Sequence, residues 1–177
     1  MGCQIRQVFS WFLWLGAIVL AVLLGFGLWH PPSAAAAIRQ LEESPGQVVY
    51  QSRQTLNDQH GNNWQTVAFK RIRSDGKASF ELRVVGFPGV VELDHTQPLT
   101  LTNSLGAALT ATNVSNTIFP NAAQPVGNIG QYNLQPLIAQ LPATIPLKLS
   151  LPTISGETIN LAVSPLLVEE WQTVANY

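Results

Sequence analysis

No charged side chain lies between Arg6 and Arg39, and the nineteen residues from Trp11 to Trp29 are all apolar or glycine. A segment that is apolar on every side has no polar face to turn to water, and this one approaches the roughly 20 residues that span a bilayer. Pro31-Pro32 ends any helix behind it, because proline lacks the backbone N–H and clashes with the preceding turn. Ser33 and Ala34 to Ala37 then supply the small residues that signal peptidase requires. Cleavage after Ala36 or after Ala37 satisfies the Ala-x-Ala rule, with Ala37 preferred. The length of the apolar run keeps an uncleaved anchor as the alternative. Either way the basic end stays inside and the chain after Arg39 is delivered outside. The expected organisation is therefore a signal peptide or N-terminal membrane anchor over 1–37 and an exported domain over 38–177. Cys3 precedes the apolar run, which excludes a lipoprotein signal, and Arg6 stands where myristoylation expects Ser or Thr.

Removing the first 37 residues takes away one of nine basic residues and none of ten acidic ones. The remainder is weakly acidic, so nucleic acid is not an expected partner. The only cysteine goes too, so the exported part has no disulfide and no thiolate for metal. Its stability has to come from packing.

The hydrophobic period from residue 38 onward is two. Phe80, Leu82 and Val84 alternate with Ser79, Glu81 and Arg83, and the same pattern recurs over Leu99–Thr102, Leu105–Thr112, Ile145–Leu151 and Thr158–Val163. Turn chemistry separates the runs: Asn57–Asn62 closes a hairpin between Val48–Leu56 and Trp64–Ile72, and Ser74–Lys77, Asn103–Gly106 and Ser155-Gly156 close others. Two short helices interrupt the strands, Leu134–Leu141 capped by Asn133, and one opened by Ser164-Pro165 running to about Val174. Leu166, Leu167, Glu170, Trp171 and Val174 are expected on its packed side. About eight short antiparallel strands in one open sheet would leave long unpaired edges. The expected fold is mainly β: a single antiparallel β-sandwich or partly open barrel, built as a meander, with the last helix covering one end.

Candidate sites are few. His60 and His95 are the only imidazoles after residue 37, and both read as solvated loop residues outside any nucleophile elbow. Asp58, His60, Glu92, Asp94 and His95 supply metal-type ligands, and Glu92 could join Asp94-His95 at one strand end, but no recognised ligand spacing appears, so no metal is expected. Lys70, Arg71 and Arg73, with Arg83 brought back by the turn, form a possible basic patch, in which Arg71 and Arg73 share one face and Lys70 lies opposite. Phe87-Pro88, bracketed by Gly86 and Gly89, is either a bend or a phenyl ring presented outward. Trp64, Phe119, Tyr132 and Trp171 read as core aromatics.

Several stretches carry a resemblance: Ala37-Ile38-Arg39-Gln40-Leu41-Glu42-Glu43, Pro45-Gly46-Gln47-Val48-Val49-Tyr50-Gln51-Ser52-Arg53, Asp58-Gln59-His60-Gly61-Asn62, Val85-Gly86-Phe87-Pro88-Gly89, Gln97 to Asn103 and Glu169-Glu170-Trp171-Gln172. Together they resemble a family of short secreted cyanobacterial proteins known only as a domain of unknown function. The resemblance implies a thylakoid lumen or periplasm as destination and carries no activity, cofactor or site residue. The expected role is a non-enzymatic accessory module binding a membrane-protein complex or an anionic membrane surface. A carrier for a small apolar lipid or pigment and a hydrolase using His60 or His95 are the alternatives. Mass spectrometry of the protein recovered from the source cell should find Ile38 as the first residue; an intact N-terminus in the membrane fraction would establish the anchor instead.

Overall fold

A computed structural model describes residues 38–89, 91–118 and 126–177. The apolar run, Ala36, Ala37, Val90 and Phe119 lie outside the described residues. Among those described, no helix is long and apolar enough to cross a membrane.

Among the described residues nine strands form two antiparallel sheets: β1 (Arg39–Ser44), β2 (Gln47–Asn57), β3 (Asn63–Ile72), β4 (Ala78–Val85), β5 (Leu99–Asn103), β6 (Ala108–Ala111), β7 (Ile129–Asn133), β8 (Leu147–Pro152) and β9 (Thr158–Val163). The first sheet has the order β1-β2-β3-β4-β7 and the second β6-β5-β8-β9. The sheets do not close into a barrel, and the connectivity is not a meander: after β6 the chain returns to pair β7 with β4, then goes back to the second sheet. β1 and β7 were not expected as strands.

The expected turns are in place. Gly61, Gly76, Gly106 and Gly156 all have positive φ, the region in which a Cβ would be strained. One expected strand is shorter. Asn103 Oδ1 accepts from the backbone N–H groups of Leu105 and Ala107, so the turn consumes those residues, β6 starts at Ala108, and Leu105 is 82% exposed. The helix expected over Leu134–Leu141 is only a turn followed by a 3-10 segment, Ile138–Gln140. Asn133 does accept from the Gln135 N–H, but Pro136 offers no donor and Leu141, preceding Pro142, is extended at ψ 121°.

Helix α1 (Pro165–Asn176) begins as its sequence requires, with Ser164 Oγ accepting from Leu167 N–H and proline at the first helical position. Leu167, Val168, Trp171 and Val174 are buried, whereas Leu166 is exposed. Polar bonds fix the helix to the inner face of the first sheet: Ser52 Oγ donates to Glu170 at 2.9 Å and Lys70 Nζ to the Ala175 carbonyl at 2.8 Å. The ammonium thereby meets the negative end of the helix dipole. Between the sheets, Trp64, Phe80, Leu82, Leu93, Tyr132, Leu149 and Leu161 form one core and are at most 1% exposed.

The β2–β3 hairpin joins the two sheets. Asp58 Oδ1 accepts from the backbone N–H groups of His60 and Asn62, and Oδ2 from Asn62 Nδ2 and the Trp64 indole. Next to it, Gln59 Nε2 donates to the Thr158 carbonyl and Gln59 Oε1 accepts from Asn160 N–H, both at 2.8 Å, along the free edge of β9. Desolvation acts to raise the Asp58 carboxyl, but the four donors outweigh it and hold it down at about 2 from 3.8. A depressed carboxylate contributes stability above its unfolded pKa and loses it as pH falls through the folded one. Urea unfolding should therefore show the wild type losing stability between about pH 4 and pH 2. Asp58→Ala, less stable by about 1–3 kcal/mol at pH 7 because the indole loses its partner, should lose less stability over that range, the remainder coming from Asp75 and Asp94, whose carboxyls are also held down.

Candidate functional site

β3 is apolar on both faces. Trp64, Ala68 and the other even-numbered positions point to the core, so Gln65, Val67, Phe69 and Arg71 point outward, where no second layer lies over them among the described residues. The register sets their neighbours. Val67 stands between Arg53 of β2 and Arg83 of β4, Phe69 between Gln51 and Glu81, and Arg71 between Val49 and Ser79.

Val49, Val67 and Phe69 form a second apolar cluster, each no more than 7% exposed although it lies on the outer face. Long polar side chains provide the cover, their aliphatic stems lying over apolar surface while the charged heads reach water. The guanidinium carbons of Arg71 and Arg83 lie 5.2 and 5.4 Å from the Phe69 ring centroid, within cation–π range. Arg71 Nε donates to Glu43 Oε2 at 3.2 Å, and Arg83 donates through Nε and Nη2 to Gln131 Oε1 at 2.9 and 2.7 Å. Gln131 is itself 1% exposed; its Nε2 donates to Glu81 and Thr117, and its backbone N–H to Ser115 Oγ. Burial, and then the charge of Arg71, pull the Arg83 guanidinium below its usual range, against the opposing pull of Glu81 and Glu43. Around this framework lies a hollow of about 160 Å³, lined by Glu43, Val49, Arg53, Val67, Phe69, Arg71, Arg83 and neighbouring residues.

The expected basic patch is thus divided. Arg71 and Arg83 come together. Arg73 does not join them, because β3 ends at Ile72 and Arg73 turns into the β3–β4 connection, its N–H bonded to the Lys77 carbonyl. Lys70 is spent on the helix end. Phe87 is 71% exposed, two residues beyond Val85, which lines the hollow. Gly86 and Asn128 hold the bend at its root through two hydrogen bonds, and Gly89 turns the chain at φ 79°. Sequence reasoning overlooked Glu43, Val49, Arg53, Val67, Phe69 and Gln131. The signal for Val67 and Phe69 was present: in Thr66-Val67-Ala68-Phe69 both alternating sets of residues include apolar ones.

The imidazoles are placed differently. His60 is exposed and Nε2 lies 2.6 Å from Glu157 Oε1, with no hydroxyl bonded to the ring among the described residues. His95 is not a solvated residue: it is half-buried, and both ring nitrogens are buried without a hydrogen-bond partner among the described residues. Asp94 is occupied in its own turn, accepting from the Thr96 N–H and hydroxyl. No group of three or more His, Cys, Asp or Glu that would hold a metal occurs among the described residues. Trp64, Tyr132 and Trp171 are core aromatics.

A Cβ at Gly86 would stand 2.8 Å from Cη2 and Cζ3 of the fully buried Trp64 ring. Gly86→Ala should therefore lower stability by about 1–3 kcal/mol in urea titrations and shift the indole fluorescence.

No curated protein and no solved structure matches the chain. A family match covers residues 36–174, from the expected cleavage region nearly to the end of α1. The chain belongs to the family described as protein of unknown function, DUF3122.

Proposed function

We propose that residues 38–177 form a non-enzymatic accessory module, exported to the thylakoid lumen or periplasm, that docks on a membrane-protein complex through the outer face of its first sheet. The observation that carries this reading is the apolar Val49, Val67 and Phe69 floor, covered among the described residues by arginines rather than by a further layer of the fold. Arginine over an aromatic ring beside a hollow is the composition of a protein-binding surface, where arginine and aromatic residues carry a disproportionate share of binding energy. Phe87, exposed beyond one end of the hollow, extends that surface.

An acidic protein segment fits better than an anionic membrane. Recruitment to a lipid surface draws on clusters of about four to eight basic residues. Here Arg71 is tied to Glu43, Arg83 is tied through Gln131 to Glu81, and the domain as a whole is weakly acidic. The hydrolase alternative gains nothing from His60, whose recorded ring contact is Glu157. A carrier needs an enclosed apolar void, and the space between these open sheets is occupied by side chains.

Tagged full-length protein, recovered from detergent-solubilised cyanobacterial membranes, should bring down a membrane-protein complex. The Arg71→Glu/Arg83→Glu variant should recover at least tenfold less of it. Recovery of the tagged protein alone, or equal recovery by the variant, would sink the reading. Charge-dependent sedimentation with anionic vesicles in the absence of any complex would replace it with the membrane-surface reading.

A further inference from the structure

We infer that the free edge of β1 is the surface on which a second copy of this chain pairs, antiparallel, so that the first sheets of two molecules continue into one another. The inference goes beyond the docking reading above, which uses the outer face of the sheet and not its edge.

β1 is left open where the other edges are met or short. The β9 edge is met by the Gln59 amide. The β7 edge is met by the chain between Thr112 and Val114: Asn133 N–H donates to the Thr112 carbonyl and Val114 N–H to the Gln131 carbonyl. β6 has four residues and no charge, so nothing in it selects a partner. β1 has six residues, all exposed, and pairs only with β2 among the described residues. In an antiparallel ladder every second residue turns both its N–H and its C=O to the same side, so β1 offers a row of donors and acceptors on the side away from β2. Ile38, packed against the core, fixes the start of the strand, and the pairing of Ser44 with Gln47 fixes its end.

The charges of β1 choose the occupant. Arg39 lies at one end and Glu42-Glu43 at the other. An edge of a single sign would repel a second copy in either direction. Here a parallel copy would set like charges side by side, whereas an antiparallel one sets unlike charges side by side, and such opposed pairs attract. Register follows from the faces. Opposed residues share a face, and pairing with Gln51 and Val49 puts Arg39 and Leu41 on the outer face, where the Glu43 carboxylate reaches Arg71. A two-fold axis through Leu41 therefore brings Arg39 opposite Glu43 of the second copy, once on each side, and Leu41 opposite its own equivalent.

Both charged groups are ready for this. Arg39 is exposed and makes no ion pair or side-chain hydrogen bond among the described residues. Glu43 is oriented by Arg71 and Gln47, at 3.2 and 2.7 Å, and both bonds fall on Oε2, which leaves Oε1 for a further cation. Leu41, 46% exposed, is covered by its equivalent. The bulge between Glu42 and Ser44 keeps the regular ladder short, so the contact is small, and small contacts belong to weak, reversible association. Pairing of this kind joins two five-stranded sheets and sets their outer faces side by side.

Sedimentation equilibrium of the full-length protein in a mild non-ionic detergent should show a reversible monomer–dimer equilibrium at micromolar concentrations. Arg39→Glu, at a side chain that holds nothing else in place, should weaken dimerisation at least tenfold with unchanged thermal unfolding. Glu43→Arg should weaken it similarly, and the double variant Arg39→Glu/Glu43→Arg should restore it. Cross-linking reads the register. In a Cys3→Ser background, Leu41→Cys should form an intermolecular disulfide on mild oxidation, because opposed Cα atoms in a strand pair lie roughly 4.5–5.5 Å apart, within disulfide reach. Thr110→Cys, exposed on β6, should not. A protein that stays monomeric at every concentration, a dimer that Arg39→Glu leaves intact, or cross-linking of the Thr110→Cys variant without that of Leu41→Cys, overturns the inference. The pull-down described above tests the outer face by itself, so either idea can fail while the other stands.

Discussion

The domain depends on a strand that is apolar on both faces where the described residues form only two sheets. β3 buries Trp64 and Ala68 against the second sheet and, among the described residues, has no further layer for Val67 and Phe69. Such a strand usually lies in the middle of three layers. Here the outer cluster is covered by the protein's own polar side chains, and that substitution determines what the outer face is. Arginine stems lie where another sheet or helix would be, so an apolar floor and a ring of cations occupy the same few square nanometres. Arg83 is partly desolvated and close to Arg71, an arrangement sustained by the carboxylates and by Gln131.

Gln131 has two roles, one in each direction. Its backbone belongs to β7, the strand that returns from the second half of the chain to close the first sheet. Its side chain orients Arg83 and Glu81 on the outer face. The crossover that makes the topology other than a meander therefore also supplies the residue that orders the candidate site. Fold and site are coupled through a single buried amide.

Much of the fold was legible in the sequence because turn residues and period-two alternation act locally. Asn57–Asn62 and Ser74–Lys77 announce hairpins through their own backbone requirements, and Ser164-Pro165 announces a helix start. β1 and β7 were not legible, for a physical reason. All six residues of β1 are exposed, so it has no alternation to show, and β7 buries Gly130 and Gln131 beside Tyr132, so its inward and outward residues do not differ in polarity. The helix at Leu134–Leu141 failed because two prolines leave too little room between them. In the site, the charge of Arg71 and Arg83 was legible, but their meeting over Phe69 depends on register between strands, which the local sequence does not encode. Arg73 shows the same limit: its distance from Arg71 is right for a shared face only if β3 continues past Ile72.

The Gln59 side chain bears on how the molecule ends. Through one N–H and its oxygen the amide presents the donor and acceptor that a peptide group offers to the backbone of β9 at Thr158 and Asn160. In effect one glutamine serves as a one-residue strand. It occupies the position where a strand from another molecule would begin to pair, so that edge of the second sheet is terminated from within. A strand end occupied in this way opposes the addition of another strand there, and it does so with a neutral side chain rather than with charge.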